Sequence, residues 1–107
     1  MDQLLWNLKG FQWDDGNRDK NETRHGVHFT ECEQIFLNRP LFVLGDPKHS
    51  KGEERFAAFG ATDRSRRLAV IFTVRGDLIR VISARDMNRR ERRFYGEQSA
   101  KDTPVQD

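Results

Sequence analysis

The middle of the chain contains apolar runs whose β-branched and aliphatic residues predict β-strands. Four such runs cover residues 41–45, 55–61, 67–74 and 77–84, and they are rich in valine, isoleucine, leucine and phenylalanine. The links at residues 63–66 and 75–77 are short and polar. Because short turns join neighbouring antiparallel strands, the last three runs are predicted to form an antiparallel meander.

The residues before these strands indicate a short strand and two helices. Residues 11–14 favour a strand, and residues 15–25 favour a helix that ends at Gly26. Thr30 followed by Glu33 has the spacing of a capping box, which predicts a second helix starting there. Three apolar side chains share one face of that helix, namely Cys32, Ile35 and Phe36.

The C-terminal part of the chain returns to helical spacing. A helix is predicted over residues 86–97, and the polar tail at 98–107 is expected to be disordered. Residues 1–10 form an N-terminal extension ahead of a single domain over residues 11–97. Together the elements predict a compact α+β fold, with N-terminal helices packed on an antiparallel β-sheet and a C-terminal helix.

Positive charge is clustered rather than spread along the chain. The net charge is only +2, although 34% of the residues are charged. Residues 75–95 nevertheless carry seven arginines against three acidic residues. Arginine stays charged at physiological pH and its planar group matches phosphate, so RNA is the leading candidate partner. A solvated, arginine-rich surface helix is the alternative.

Cysteine usage and the first residues bear on location. A lone cysteine, Cys32, excludes an internal disulfide framework and fits a reducing compartment. The N-terminal extension contains Leu4, Leu5, Trp6 and Leu8, but polar residues interrupt them. That stretch is too short and too mixed for a signal peptide or a membrane span, so a cytoplasmic protein is expected.

The first predicted helix has almost nothing to bury. Asn21, Arg24 and His25 recur in it at roughly helical spacing. A helix that is polar on every side is usually a weak surface helix, or one held by its ends. If it docks beside the strand that carries Arg80 and Arg85, the result is a basic cleft with one titratable histidine.

Several short motifs together resemble the BrnT family of bacterial toxins. They occur in order and with natural spacing between residues 11 and 96, and their combination is specific although no single motif is. The motifs are Phe11-x-Trp13-Asp14, Asn21, Arg24-His25-Gly26-Val27, Phe29, Glu53-Glu54-Arg55-Phe56, Thr73-x-Arg75-Gly76-Asp77, Ile79-Arg80-Val81-Ile82-Ser83-Ala84-Arg85, Arg89-Arg90-Glu91-Arg92 and Tyr95.

The resemblance implies a fold similar to RelE-type toxins and an endoribonuclease activity that inhibits translation. It also implies a type II toxin–antitoxin system, with neutralisation by a BrnA-type antitoxin and promoter DNA bound only through the antitoxin. The chain departs from the family at Asn17, where a lysine is usual, at Glu22, where the family is apolar, and at Arg39, where it is acidic. Lys20 and Arg24 are candidates to replace the lost lysine.

Cleavage without a metal or cofactor requires removal of a proton from a 2′-hydroxyl, stabilisation of a phosphorane and protonation of the leaving oxygen. His25 is the acid–base candidate because its reference pKa lies near neutrality. Glu54, or its neighbour Glu53, is the candidate partner or base. Arg80 and Arg85 suit the phosphorane, each contributing ~2–4 kcal/mol. RNA contacts are expected from Arg24, Lys20, Asn21, Arg55 and Arg75.

Each assignment has a plainer alternative. His25 could merely compensate the dipole at a helix C-terminus, and the adjacent glutamates could merely pair with arginines. Arg80 and Arg85 are separated by an odd number of residues, so they should point to opposite sheet faces unless a bulge intervenes. His25, His28 and Cys32 have spacings that zinc tolerates, but a fourth ligand is not evident.

Three functions therefore compete: a ribonuclease toxin, a non-catalytic RNA-binding module and a protein-interaction domain. RNA cleavage in excess EDTA separates the first two, and salt-sensitive RNA affinity counts against the third. The apolar extension beside a cationic surface also predicts a standing antitoxin partner. That assembly is expected to contain two toxin chains, as a homodimer or as a heterotetramer with the antitoxin.

Overall fold

The computed structural model describes residues 8–50 and 52–102 of the chain. The elements in this part confirm the α+β class. The strands are β1 (Gly10–Phe11), β2 (Phe42–Gly45), β3 (Arg55–Ala61), β4 (Arg67–Arg75) and β5 (Leu78–Asp86). The helices are α1 (Lys20–His25), α2 (Phe29–Leu37) and α3 (Arg89–Asp102), and a 3-10 turn (Pro47–His49) follows β2. Leu4, Leu5 and Trp6 of the predicted extension lie outside the described residues.

The strands form one sheet in the order β1-β5-β4-β3-β2. Strands β2 to β5 pair antiparallel, so the predicted meander is confirmed. Strand β1 pairs with β5 in parallel, which the sequence did not indicate. It is shorter than the predicted 11–14 because the carbonyl of Asp14 accepts the N–H groups of Asn17 and Arg18, which turns the chain away. Leu8 packs against the core, so part of the predicted extension belongs to the domain.

Each face of the sheet has its own apolar core. On the face covered by α2 (the α2 face), Cys32, Ile35 and Phe36 pack on the sheet. On the opposite face (the α3 face), Tyr95 of α3 packs near Phe59 of β3. Alternate residues of β3 enter the two cores, as expected of a strand buried on both sides.

Gly60 allows helix α2 to approach β3 closely. A Cβ atom at this position would lie 3.0 Å from Cβ of Ile35 and 3.2 Å from its carbonyl oxygen. Any other residue here would force the helix away from the sheet. The glycine therefore fixes how deeply the α2 face is packed.

Helix α2 starts one residue before the predicted Thr30, and a different capping box opens it. The ring of His28 accepts the N–H of Thr30, and the carboxylate of Glu31 accepts the N–H of His28. Glu33, predicted for that role, instead accepts the indole N–H of Trp13 at 2.8 Å. The predicted box was wrong because both pairs have the same spacing, and only the tertiary contact with Trp13 distinguishes them.

Helix α1 covers the outer edge of β5 beyond the short strand β1. The side-chain amide of Asn17 donates to the carbonyl of Val81 at 3.0 Å, and the amide oxygen of Asn21 accepts the N–H of Ala84 at 3.0 Å. Both asparagines are 3% exposed. The polar helix thus satisfies backbone groups that a neighbouring strand would otherwise pair, which explains why it has so little apolar surface.

The C-terminal helix is longer than predicted. Asn88 and Glu91 cap its start by reciprocal hydrogen bonds of 2.8 and 2.9 Å. The helix continues to Asp102, so residues 98–102 are helical where a disordered tail was expected. Glutamine, alanine and lysine in this stretch are strong helix formers, and the hydroxyl of Ser99 donates to the carbonyl of Tyr95. Residues 103–107 lie outside the described part of the chain.

Replacement of Asn21 by alanine is expected to destabilise the protein by ~1–3 kcal/mol. The change leaves the buried N–H of Ala84 without its acceptor, and no water can reach that edge while α1 stays docked. Urea unfolding would measure the loss. Glu22→Ala, on the exposed side of the same helix, is the matched control and should stay within ~0.5 kcal/mol of wild type. Equal stabilities for the two variants would contradict the edge-capping role of α1.

Candidate functional site

A β-bulge places the two predicted strand arginines on one face of the sheet. Ile71 of β4 pairs with Ser83, but the next residue, Phe72, pairs with Val81, so Ile82 is the extra residue. Arg80 pairs with Thr73 and Arg85 pairs with Ala69, and these two partners are four residues apart on β4. Both arginines therefore lie on the α3 face, and the odd separation is no obstacle to their acting on one ligand.

Three polar side chains form a row across the sheet, which we call the arginine row: Arg55, Thr73 and Arg80. Arg55 pairs with Thr73 across β3 and β4, and Thr73 pairs with Arg80 across β4 and β5. Directly paired residues project from the same face of a sheet. Arg75, two residues after Thr73, adds a third guanidinium on that face. The row combines positive charge with a rigid, three-stranded support.

Two carboxylates hold the guanidinium groups of Arg80 and Arg75. Asp14 accepts two hydrogen bonds from Arg80, at 2.8 and 3.2 Å, and Gln12 accepts a third at 3.2 Å. Glu53 accepts two from Arg75, each 3.3 Å long. The hydrogen bonds from Arg80 lower the pKa of Asp14, and those from Arg75 lower the pKa of Glu53. Both carboxylates are therefore ionised at neutral pH and orient the arginines.

Arg55 differs from its neighbours because one nitrogen of its guanidinium, Nε, makes no hydrogen bond, although its charge also acts on Glu53. Its Nε atom is buried and makes no hydrogen bond, and none of the ion pairs within residues 8–50 and 52–102 involves it. A buried cationic donor without an acceptor costs ~1–3 kcal/mol or more. An anion bound at the arginine row would provide that acceptor.

Arg85 is already engaged by the start of helix α3. Its guanidinium donates to both carboxylate oxygens of Glu91, at 2.6 and 2.9 Å. This bidentate pair raises the pKa of Arg85 and lowers that of Glu91. Arg85 stands about 13 Å from Arg80, four residue positions along β4. It flanks the arginine row rather than belonging to it.

The structure does not bring His25 to the arginine row. The carbonyl of His25 accepts from Arg66 at 3.4 Å, at the C-terminal end of α1. Hydrogen bonds from Arg66 are the main cause of a lowered pKa at Asp86, and the charge of His25 adds to it, so the imidazole lies near Asp86. Asp86 pairs with Leu68 and Arg80 with Thr73, so the two lie five positions apart along β4, about 17 Å. One phosphate cannot contact both His25 and Arg80.

Of the two adjacent glutamates, Glu53 faces the arginines and Glu54 does not. The charges of Arg55 and Arg80 both contribute to the lowered pKa of Glu53, after its hydrogen bonds with Arg75. Glu54 is exposed, and its side chain lines a surface depression on the side of β2. Its backbone carbonyl accepts from the hydroxyl of Thr73 at 2.7 Å, so the segment is fixed through its main chain.

The three residues expected to bind RNA from helix α1 have different environments. Asn21 is buried and its amide oxygen is used by β5, which leaves it unable to face a ligand. Lys20 donates to the carbonyl of Ile82 at 3.3 Å, beside the bulge. Arg24 is exposed and lies on the same helix. Only Lys20 and Arg24 remain available as outer cationic contacts.

The residues of the zinc alternative do not converge. His28 uses its ring to cap α2, and Cys32 is fully buried in the core, where desolvation raises its thiol pKa to about 12. Among the described residues, no group of three or more His, Cys, Asp or Glu side chains could hold a metal ion. In the same part of the chain, no helix is long and apolar enough to cross a membrane.

Sequence reasoning gave no role in the site to Asp14 or Thr73, and it named Glu53 only as the alternative to Glu54. Strand pairing is what brings them together, and no local signal reports the register of β3 against β4 or the bulge in β5. The alternation that starts at Arg55 could have placed Arg55 on the solvent side of its strand.

The chain matches one family model over residues 13–91, that is 79 of its 107 residues. The family is described as the ribonuclease toxin, BrnT, of type II toxin–antitoxin systems. The matched region contains the whole arginine row, its carboxylate partners and the start of α3 up to Glu91. No curated protein matches the chain.

Replacement of Glu91 by glutamine is expected to reduce stability in a pH-dependent way. The bonds with Arg85 lower the folded-state pKa of Glu91 below its ordinary 4.5, so their contribution is complete above pH 4.5 and is lost as pH falls through the folded-state value. Urea unfolding should show wild type ~0.5–1.5 kcal/mol more stable than the variant at pH 7, with the difference shrinking under acid. Glutamine retains the oxygen that caps α3.

The exposed Glu97 of the same helix provides the control, as Glu97→Gln. Its stability difference from wild type should be small at every pH. A difference between wild type and Glu91→Gln that stays constant from pH 7 to pH 3 would contradict the proposed ionic contribution.

Proposed function

Because the chain belongs to the BrnT family of ribonuclease toxins of type II toxin–antitoxin systems, we propose that it is an endoribonuclease that binds the scissile phosphate at the arginine row. The observation that carries this proposal is Arg55, whose buried Nε has no acceptor. A phosphate seated between Arg55 and Arg80 would accept from both guanidinium groups. Arg75 would add charge at the same face.

Electrostatic stabilisation is the main chemical contribution that this arrangement offers. Attack of the 2′-oxygen on phosphorus forms a dianionic phosphorane, which fixed guanidinium donors stabilise without reorganising. Its collapse breaks the P–O5′ bond, and the leaving 5′-oxygen takes a proton from solvent or from Glu53, which has accepted the proton of the 2′-hydroxyl. Asp14 and Gln12 hold Arg80 in place before the substrate arrives, and its side chain is only 15% exposed. Because the arginines supply the positive charge, cleavage is expected to proceed without a metal ion.

Glu53 is the carboxylate best placed to accept the 2′-hydroxyl proton. It is ionised at neutral pH and lies among Arg55, Arg75 and Arg80. The lowered pKa makes it a weak base, so it contributes less than a group poised near pH 7 would. Arg85 would contact an adjoining phosphate, and Lys20 and Arg24 would steer the strand toward the sheet.

The antitoxin and the cellular role are part of the same proposal. Growth inhibition would follow from cleavage of RNA needed for translation in the cytoplasm, and a BrnA-like antitoxin would prevent it by covering the arginine row. An acidic or amphipathic antitoxin segment would meet the same buried Nε donor of Arg55. An assembly with two toxin chains, bound to promoter DNA through the antitoxin, fits this scheme.

Arg55→Ala and Arg80→Ala are each expected to lower the kcat/KM of RNA cleavage by ~10²–10³-fold, because each removes a donor to the phosphorane. Cleavage of a fluorescent single-stranded RNA in excess EDTA would measure the loss. Arg64→Ala, which removes an exposed arginine from the β3–β4 turn, is the charge-matched control and should retain activity. Full cleavage by a folded Arg55→Ala variant would overturn the site, and RNA binding without any cleavage by wild type would favour the non-catalytic module.

His25→Ala is expected to reduce cleavage far less than the ~100-fold that loss of a general acid causes. The reason is the distance of His25 from the arginine row. The same EDTA assay measures this variant, with a thermal melt as the folding check. A loss as large as that of Arg80→Ala would mean that His25 reaches the scissile phosphate, and that α1 moves when RNA binds.

A further inference from the structure

An apolar row runs beside the arginine row. It lies two residues away along β3 and β4, on the side toward helix α3. Leu44 pairs with Ala57, Ala57 pairs with Ile71, and Ile71 pairs with Ser83, so the four residues cross strands β2 to β5 on the α3 face. We call them the apolar row. It ends at Ser83, whose hydroxyl can donate and accept hydrogen bonds.

Part of the apolar row stays accessible beside helix α3, although Ala57 packs against the α3-face core. Helix α3 packs on the next row, which contains Phe59 and Ala69. Ile71 is only half-buried and belongs to neither core, although β4 is the central strand of the sheet. Leu44 is 47% exposed. Because Ile71 and Leu44 keep part of their apolar surface accessible, the row gains from burial against a flat ligand.

The distance between the two rows suits one nucleotide. Neighbouring rows on one face are two residues apart along each strand, about 7 Å. A ribose spans a comparable distance between its phosphate and its base. A phosphate at Arg55 and Arg80 therefore leaves the attached base above Ile71, while Ser83 is available to the edge of that base.

We propose that the apolar row is the nucleobase subsite of the enzyme and that its substrate is single-stranded RNA. The proposal rests on the phosphate site proposed above. Ile71, with Ala57 and Leu44, forms the surface on which one base lies flat, as bases do against apolar side chains in other enzymes. A base in a duplex is stacked between its neighbours and cannot take this position. The sheet thus selects unpaired RNA by shape.

The test uses a ten-nucleotide 2′-fluoro RNA, which lacks the hydroxyl nucleophile and cannot be cleaved. Fluorescence anisotropy would give its Kd and the salt dependence of binding for wild type, Ile71→Ser and Arg55→Ala. Leu37→Ser is the matched control, since Leu37 is an apolar side chain on α2 that is 77% exposed and lies on the other side of the sheet. Thermal melts confirm folding, and Leu44→Ser provides a second subsite variant at an exposed position.

Ile71→Ser should raise the Kd for the single strand about threefold to tenfold, through lost apolar burial, and leave its salt dependence unchanged. Arg55→Ala should reduce the slope of log Kd against log salt by ~0.7, because one phosphate contact is lost. A hairpin of the same 2′-fluoro chemistry should bind wild type more weakly, and Ile71→Ser should not alter that binding.

Three results would overturn the proposal in whole or in part, and they differ in what they imply for the phosphate site. Unchanged single-strand affinity in Ile71→Ser, together with weakened binding in Arg55→Ala, would reject the base subsite and retain the phosphate site. Equal effects of Ile71→Ser on the single strand and the hairpin would reject selection of unpaired RNA. Wild-type protein that binds neither RNA in a salt-dependent way would reject both proposals.

Discussion

The bulge at Ile82 is the feature on which the candidate site depends, and helix α1 holds it in place. Asn17 bonds to the carbonyl of Val81, Lys20 to that of Ile82, and Asn21 to the N–H of Ala84, so three successive contacts span the bulged stretch. Without the extra residue, the side chains beyond it would point to the opposite faces, and Arg85 would leave the face of Arg80. The side-chain amides of Asn17 and Asn21 therefore hold the bulge in β5, and the bulge keeps Arg85 on the same face as Arg80.

The same arrangement gives a structural role to Asn17, a position where the family resemblance led us to expect a lysine. Its side chain donates to the carbonyls of Gln12 and Val81 and accepts the N–H of Asp14, and it is 3% exposed. A lysine could not accept that N–H, because its ammonium group only donates. Asn17 therefore ties the Asp14 turn to β5 and so supports the carboxylate that orients Arg80. Asn17 lacks the charge of a lysine, but its side chain fixes the turn that holds Asp14 and thereby the position of Arg80.

Local patterns were sufficient for the elements and insufficient for the site. The apolar run at 55–61 predicted β3 to the residue, because a strand buried on both faces is apolar at nearly every position. The α+β class followed from the same patterns. The parallel strand β1 and the capping role of Glu31 depend on tertiary contacts, which no local window contains. The site required the register of three strands and one bulge, and a single inserted residue reverses the face of every side chain beyond it.

Three arginines of the α3 face have carboxylate partners. Arg80 has Asp14, Arg75 has Glu53 and Arg85 has Glu91, which is consistent with a net charge of only +2 for a chain with many arginines. An arginine that already bonds to a carboxylate gains little electrostatic binding energy from a phosphate, because the phosphate only replaces one anion by another. Arg55 differs because its buried Nε has no acceptor, so an anion that bonds to it satisfies a donor rather than replacing a carboxylate. In the proposed scheme, RNA and an acidic antitoxin segment compete for the arginine row, so RNA binding and antitoxin binding exclude each other.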